Sequence, residues 1–198
     1  MFLNAGFNTP IGKAVGYFYH IDNEDALTFS SDTIGVRLTG KQDINDDWAI
    51  RYEGEYANQK DAGGNPVDFK ADYWHLNAGA IVGIFDFGLG WESLGGEERT
   101  FFNESFRTPL ATLHKFNGWA DQFLTTPGAG LDDLHATLKV VQGDWLVQAR
   151  LHDFKANDGG EKYGTELDLH GGYKFNKRFR ADLYLAEFSG KNGRPDVT

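Results

Sequence analysis

The 198-residue chain contains no cysteine, which removes disulfide frameworks and cysteine-ligated zinc sites from the readings open to it. No apolar run approaches the roughly 20 residues that a membrane-spanning helix needs. Mean hydropathy is −0.47, so a bundle of membrane helices is excluded. Basic residues are outnumbered: 19 Lys and Arg stand against 29 Asp and Glu, and the net charge of −10 argues against nucleic acid as a partner. The opening residues, Met1-Phe2-Leu3-Asn4, lead at once into strand-like and turn-like sequence instead of a secretory signal.

What the chain does have is aromatic residues, at 15%, 25 glycines, and a strict alternation of apolar and charged side chains. Trp48, Ile50, Tyr52, Gly54 and Tyr56 alternate with Ala49, Arg51, Glu53, Glu55 and Ala57, and the pattern returns in segment after segment. A soluble sandwich or barrel is the competing reading, but it seldom needs aromatics along one face and ion pairs along the other. A membrane barrel needs both, because its outer face meets lipid and its inner face meets water.

Period-two patterning and turn residues predict strands near 2–8, 13–22, 32–42, 47–58, 68–82, 84–94, 131–141, 145–155, 163–175 and 178–189. The connections alternate in kind. Those at 9–12, 43–46, 82–83, 142–144 and 176–177 are short, whereas those near 23–31, 59–67, 95–130, 156–162 and 190–198 are longer and polar. Short turns at one end and long loops at the other are the habit of outer-membrane barrels. The expected fold is therefore all-β: an antiparallel transmembrane barrel meander of about ten strands. It occupies residues 1–198 as one domain, with 95–130 as a long outer loop. The missing signal, and an end at Arg194-Pro195-Asp196-Val197-Thr198 instead of a strand with a terminal aromatic, lead us to expect a piece of a larger barrel.

Parity assigns the two faces. Outward fall Ile34, Val36, Trp48, Ile50, Trp74, Leu76, Phe85, Phe87, Leu89, Leu134, Leu138, Trp145, Val147, Leu151, Leu169, Phe179, Leu183 and Leu185, with aromatics near strand ends where interfacial girdles lie. Inward fall the basic residues Arg37, Lys41, Arg51, Lys139, Arg150, Lys174 and Arg180. The acidic residues Glu53, Glu55, Asp86, Glu92, Asp133, Glu166, Asp168 and Asp182 share that face. These charges, Lys41 and Glu92 apart, are the expected pore lining. His75, His135, His152 and His170 also fall inward, near Asp133, Glu166 and Asp168, but no ligand pair has a recognised spacing and no metal or cofactor is assigned. The acidic loops around Asp22, Glu24, Asp25 and Asp32, and around Asp158 and Glu161, read as solvated surface, since no EF-type loop is present.

The longest connection contains a run, 108–127, too long for an idle loop. Leu110, Leu113, Ala120, Phe123 and Leu124 follow helical spacing, broken at Asn117-Gly118, so the run is expected to pack on something. Two roles are open to it: a cap burying its own aromatics over the rim, or a constriction folded into the lumen. In the second role Leu113, His114, Phe116, Trp119, Asp121 and Phe123 do the narrowing.

The run Thr108-Pro109-Leu110-Ala111-Thr112-Leu113-His114-Lys115-Phe116-Asn117-Gly118-Trp119-Ala120-Asp121 resembles the alginate export family of bacterial outer-membrane barrels. Gly130-Leu131-Asp132-Asp133-Leu134, Tyr163-Gly164-Thr165-Glu166-Leu167-Asp168 and Ser31-Asp32-Thr33 with Gly35-Val36-Arg37-Leu38 add to the resemblance. It implies a porin-like channel in the bacterial outer membrane, passing a polysaccharide or other hydrophilic solute, with the lipid bilayer as its other partner. A pore for polyanionic alginate should carry a basic excess, and seven basic against eight acidic inward residues depart from that. Two alternatives belong to other classes: a structural or adhesive barrel with a blocked lumen, and an outer-membrane hydrolase. For the hydrolase, Ser93, Ser105 and His114 share a loop region, but no nucleophile motif surrounds either serine, so an enzyme is not expected. Oligomeric state is not written in the pattern.

Overall fold

The computed structural model describes residues 1–98, 103–111, 113–114 and 116–198. Its strands are β1 (Phe2–Thr9), β2 (Gly12–Ile21), β3 (Ser31–Asp43), β4 (Trp48–Asp61), β5 (Lys70–Val82), β6 (Phe85–Leu94), β7 (Gly96–Glu98), β8 (Asn103–Ser105), β9 (Leu131–Gln142), β10 (Trp145–Lys155), β11 (Lys162–Lys174) and β12 (Arg180–Gly190). Ten of them form one antiparallel meander in the order β1-β2-β3-β4-β5-β6-β9-β10-β11-β12, and β7 and β8 form a separate hairpin inside the long connection. Among the described residues no helix is long and apolar enough to cross a membrane, and the one helical segment is a 3₁₀ turn at Leu27–Phe29.

Alternation drives this arrangement, because each strand can bury one row of side chains and leave the other in a different solvent. Tight turns fix the register: Val82 pairs with Phe85 and Gln142 region pairing begins at Trp145, across Gly83 and Gly143. Both glycines hold φ near +58°, the left-handed backbone that such two-residue hairpins require. Successive strands then stay in step over their whole length.

The outward row is exposed as a lipid-facing row must be. Trp48 and Trp145 are 50% and 60% exposed, and Leu89, in the middle of β6, is 60% exposed. Outward rings pair along the surface, Tyr56 with Trp74 at 4.5 Å between centroids and Trp145 with Tyr173 at 4.4 Å, near opposite ends of their strands. Placing a charge in this band is costly. Leu89→Arg is expected to destabilise the folded barrel in lipid by about 2–4 kcal/mol, read as a lower urea midpoint. An unchanged midpoint would mean that β6 does not face lipid.

The packed core lies on the other face, toward the long-loop end. Leu94, Leu131, Phe154, Tyr163 and Phe188 of the sheet enclose Phe106 and Phe123 of the 95–130 connection. Tyr163 joins them because the β10–β11 register shifts at Phe154/Lys155, a bulge that re-aims a side chain. Among the described residues β1 and β12 are not paired with each other. Among the described residues, the backbone pairing of β12 beyond β11 is an isolated bridge between Phe188 and Val197.

Candidate functional site

The inner face of β3–β6 carries a paired charge network. Arg37 contacts Glu53 at 2.6 Å and Glu55 at 3.7 Å, while His75 Nδ1 lies 3.2 Å from Glu53. The Tyr17 hydroxyl donates to Glu55 at 2.5 Å. One strand further down, Arg51 Nε donates to Asp86 at 2.9 Å and its Nη1 to Asn77 at 2.7 Å. The guanidinium reaches across two strands because Gly79 and Gly88 leave the wall bare beneath it. A Cβ at Gly79 would stand 2.7 Å from Arg51 Cζ. Lys139 stands opposite Asp86 across the β6–β9 pair.

On β9–β12 the inner face is more deeply buried. Asp133, His152, Glu166 and Asp168 are almost wholly removed from solvent. His152 Nδ1 is 2.8 Å from Asp133, and its Nε2 is 3.4 Å from Asp168. Arg150 Nε donates to Thr137 at 3.0 Å. Nearer the short turns, Asp182 accepts from both Arg180, at 2.7 Å, and His170, at 2.6 Å. Lys174, paired in register with Arg180, is exposed at the turn.

The long connection lies against this face. Gln59 of β4 donates to the Arg107 carbonyl at 2.9 Å and accepts from the Arg107 amide at 2.7 Å, and the Arg107 guanidinium sits 4.7 Å over the Phe69 ring. Its burial in that position lowers the guanidinium pKa below the ordinary value, though arginine stays charged. Asn117 donates to Glu92 at 3.0 Å, and the Ala120 amide donates to Glu166 at 2.8 Å. Trp119 meets the rings of His170 and Tyr184 edge-on, and Phe123 lies 4.6 Å from Phe154. The loop therefore touches inward residues from β4 to β12. Between it and β1–β6 lies a cavity of about 610 Å³, lined by Tyr17, Arg37, Glu55, Tyr73 and Glu92 on the wall and Arg107 and Phe116 on the loop.

Among the described residues of this run, helical spacing does not produce a helix. Positive φ values at His114, Asn117, Gly118 and Asp121 turn the backbone repeatedly, which no helix allows. The turn is stapled locally: the His114 amide donates to Asp121 at 2.8 Å, and His114 Nδ1 lies 2.8 Å from the other Asp121 oxygen. Of the six residues expected to narrow the lumen, Leu113, His114 and Phe116 are exposed, Trp119 and Asp121 half-buried, and Phe123 buried in the wall. Thr112 and Lys115 of the same motif lie outside the described residues. Ser93 donates to Asp132 and Ser105 to the Thr126 carbonyl, while His114 Nδ1 lies against the Trp119 carbonyl and Asp121.

Several polar partners escape a reading that follows charges alone. Tyr17, Asn77 and Tyr73, whose hydroxyl donates to Glu92 at 2.6 Å, share the parity of the charged row. That parity was the available signal. Asn117 and Arg107 carry none, since their partners are set by the path of the loop.

No protein-family model matches the sequence, and a search of curated proteins returns no match. Solved structures do match. The outer membrane protein OprD from Pseudomonas aeruginosa is similar at a TM-score of 0.73 and 14% identity, over 98% of this chain and 55% of that one. OccK1 (OpdK) from the same organism gives 0.70 at 16% identity, over 98% and 53%. OccAB2 from Acinetobacter baumannii gives 0.64 at 16%, over 98% and 51%. The chain has the fold of an outer-membrane β-barrel protein, and it spans about half the length of these structures.

Proposed function

We propose that the chain forms part of a larger closed barrel in the outer membrane of a Gram-negative bacterium, and that hydrophilic solutes diffuse through its lumen. The inward charges Arg37, Arg51, Glu53, Glu55, Asp86, Lys139, Arg150, Lys174, Arg180 and Asp182 line the path, Asp133, Glu166 and Asp168 lie buried behind that surface, and the 108–127 segment narrows it. The observation that carries this reading is the seating of the loop on the charged face through Asn117, Ala120 and Trp119, beside a cavity into whose wall Arg37, Glu55 and Glu92 are set. Closure by further strands follows from physics, because bare strand edges in lipid cost several kcal/mol per unpaired group.

Resemblance to alginate exporters supports the coarse reading better than the fine one. A polyanion calls for a basic excess, whereas Arg37 and Arg51 here are each held by carboxylates. A wall of both signs favours a hydrophilic solute other than alginate. Fixed charges on a wet wall bias which ions enter. Arg37→Glu with Arg51→Glu, in the full-length protein, is expected to move the reversal potential in a salt gradient toward cation preference. A reversal potential equal to that of the wild type would remove these residues from the solute path.

A further inference from the structure

The β9–β10 hairpin carries a three-residue cluster that the solute path does not need. The register sets His135 directly opposite His152, and Asp133, two residues before His135, projects from the same face. One ligand atom from each of these side chains lies within 4.8 Å of the other two. His152 Nδ1 is 2.8 Å from Asp133, and His135 Nδ1 is 3.8 Å from the second Asp133 oxygen. His135 is 6% exposed and, among the described residues, its Nδ1 has no hydrogen-bond partner, although it is aimed at a carboxylate. Both Asp168 oxygens are likewise buried without a hydrogen bond.

We propose that Asp133, His135 and His152 bind a single divalent transition-metal ion of the zinc type. Two imidazole nitrogens and one carboxylate oxygen form a donor set that suits zinc, cobalt, nickel or copper and not magnesium or calcium. Three protein ligands leave a coordination position for water or solute. The surroundings complete the arrangement. With Nδ1 on the metal, His152 turns Nε2 toward Asp168, 3.4 Å away, which is the carboxylate–histidine–metal relay that fixes a ligand's tautomer. Phe154 stacks on the His152 ring at 5.1 Å, and a Cβ at Gly90 would collide with the His135 ring, so the bare glycine gives that ring its place. Proton binding alone accounts for less of this. An imidazolium at His152 would answer Asp133 and Asp168 but would leave His135 Nδ1, among the described residues, facing nothing that donates or accepts at hydrogen-bond distance.

The binding is independent of solute passage and is read separately from it. Full-length protein without a polyhistidine tag, stripped with chelator in detergent, is titrated with Co²⁺ and then challenged with Zn²⁺. One Co²⁺ per chain is expected, with a visible d–d band that Zn²⁺ abolishes and millimolar Mg²⁺ or Ca²⁺ does not. His135→Gln and His152→Gln are each expected to weaken binding by more than ~100-fold, beyond what loss of an outer-shell partner costs, whereas His20→Gln, on the rim, leaves it unchanged. The wild-type titration decides the matter even if a variant fails to fold. Absence of a stoichiometric site in the wild type, or undiminished affinity in both glutamine variants, overturns the assignment.

Discussion

Replacing residues 110–124 with a short Gly-Ser linker is expected to raise single-channel conductance severalfold. The segment occupies the charged face of the sheet, where Asn117 meets Glu92 and the Ala120 amide meets Glu166, so its removal widens the water-filled cross-section. The strand ladder on either side, β6 against β9, pairs through ten residues without help from the loop and should persist. Conductance at the wild-type level in correctly folded variant protein would make the loop a cap over the rim.

Phe123→Ala is expected to undock the same segment without opening the barrel. The ring is buried against Phe154, Tyr163 and Phe188 at centroid distances of 4.6, 5.8 and 6.0 Å. Truncating a buried phenylalanine costs about 3–5 kcal/mol. That cost falls on the loop, since β10, β11 and β12 are held by their own hydrogen-bonded ladders. Limited proteolysis should therefore cut within 103–127 much faster than in the wild type, and channel current should become noisy. Equal cleavage rates would show that the aromatic cluster does not anchor the loop.

The two kinds of sequence signal fared differently for physical reasons. Strands announce themselves through a two-residue period, and every predicted strand from 2–8 to 178–189 has an observed counterpart within a few residues at each end. Tight turns carry register as well: the pairing of His135 with His152 follows from the two-residue turn at Gly143-Asp144. Parity puts His152 and Asp168 on one face, but the β10–β11 connection is longer and bulged, so the inward turn of Tyr163 could not be read the same way. The β7–β8 hairpin has three residues per strand, too few for any period to show. Within 108–127 the apolar spacing reports burial, not helix. Phe123 and Ala120 pack on the wall, Leu110, Leu113 and Leu124 do not, and left-handed residues at His114, Asn117 and Asp121 set the path.

Liposome swelling tests the central claim most directly. Full-length protein, reconstituted and diluted into isotonic solutions of uncharged hydrophilic solutes of increasing size, is expected to admit the small ones at rates that fall steeply with size. The loop-replaced variant should shift that cutoff upward. Swelling no faster than in protein-free liposomes, by protein whose strand content and heat-resistant migration show it folded, would contradict an open solute path and leave a closed structural barrel in its place.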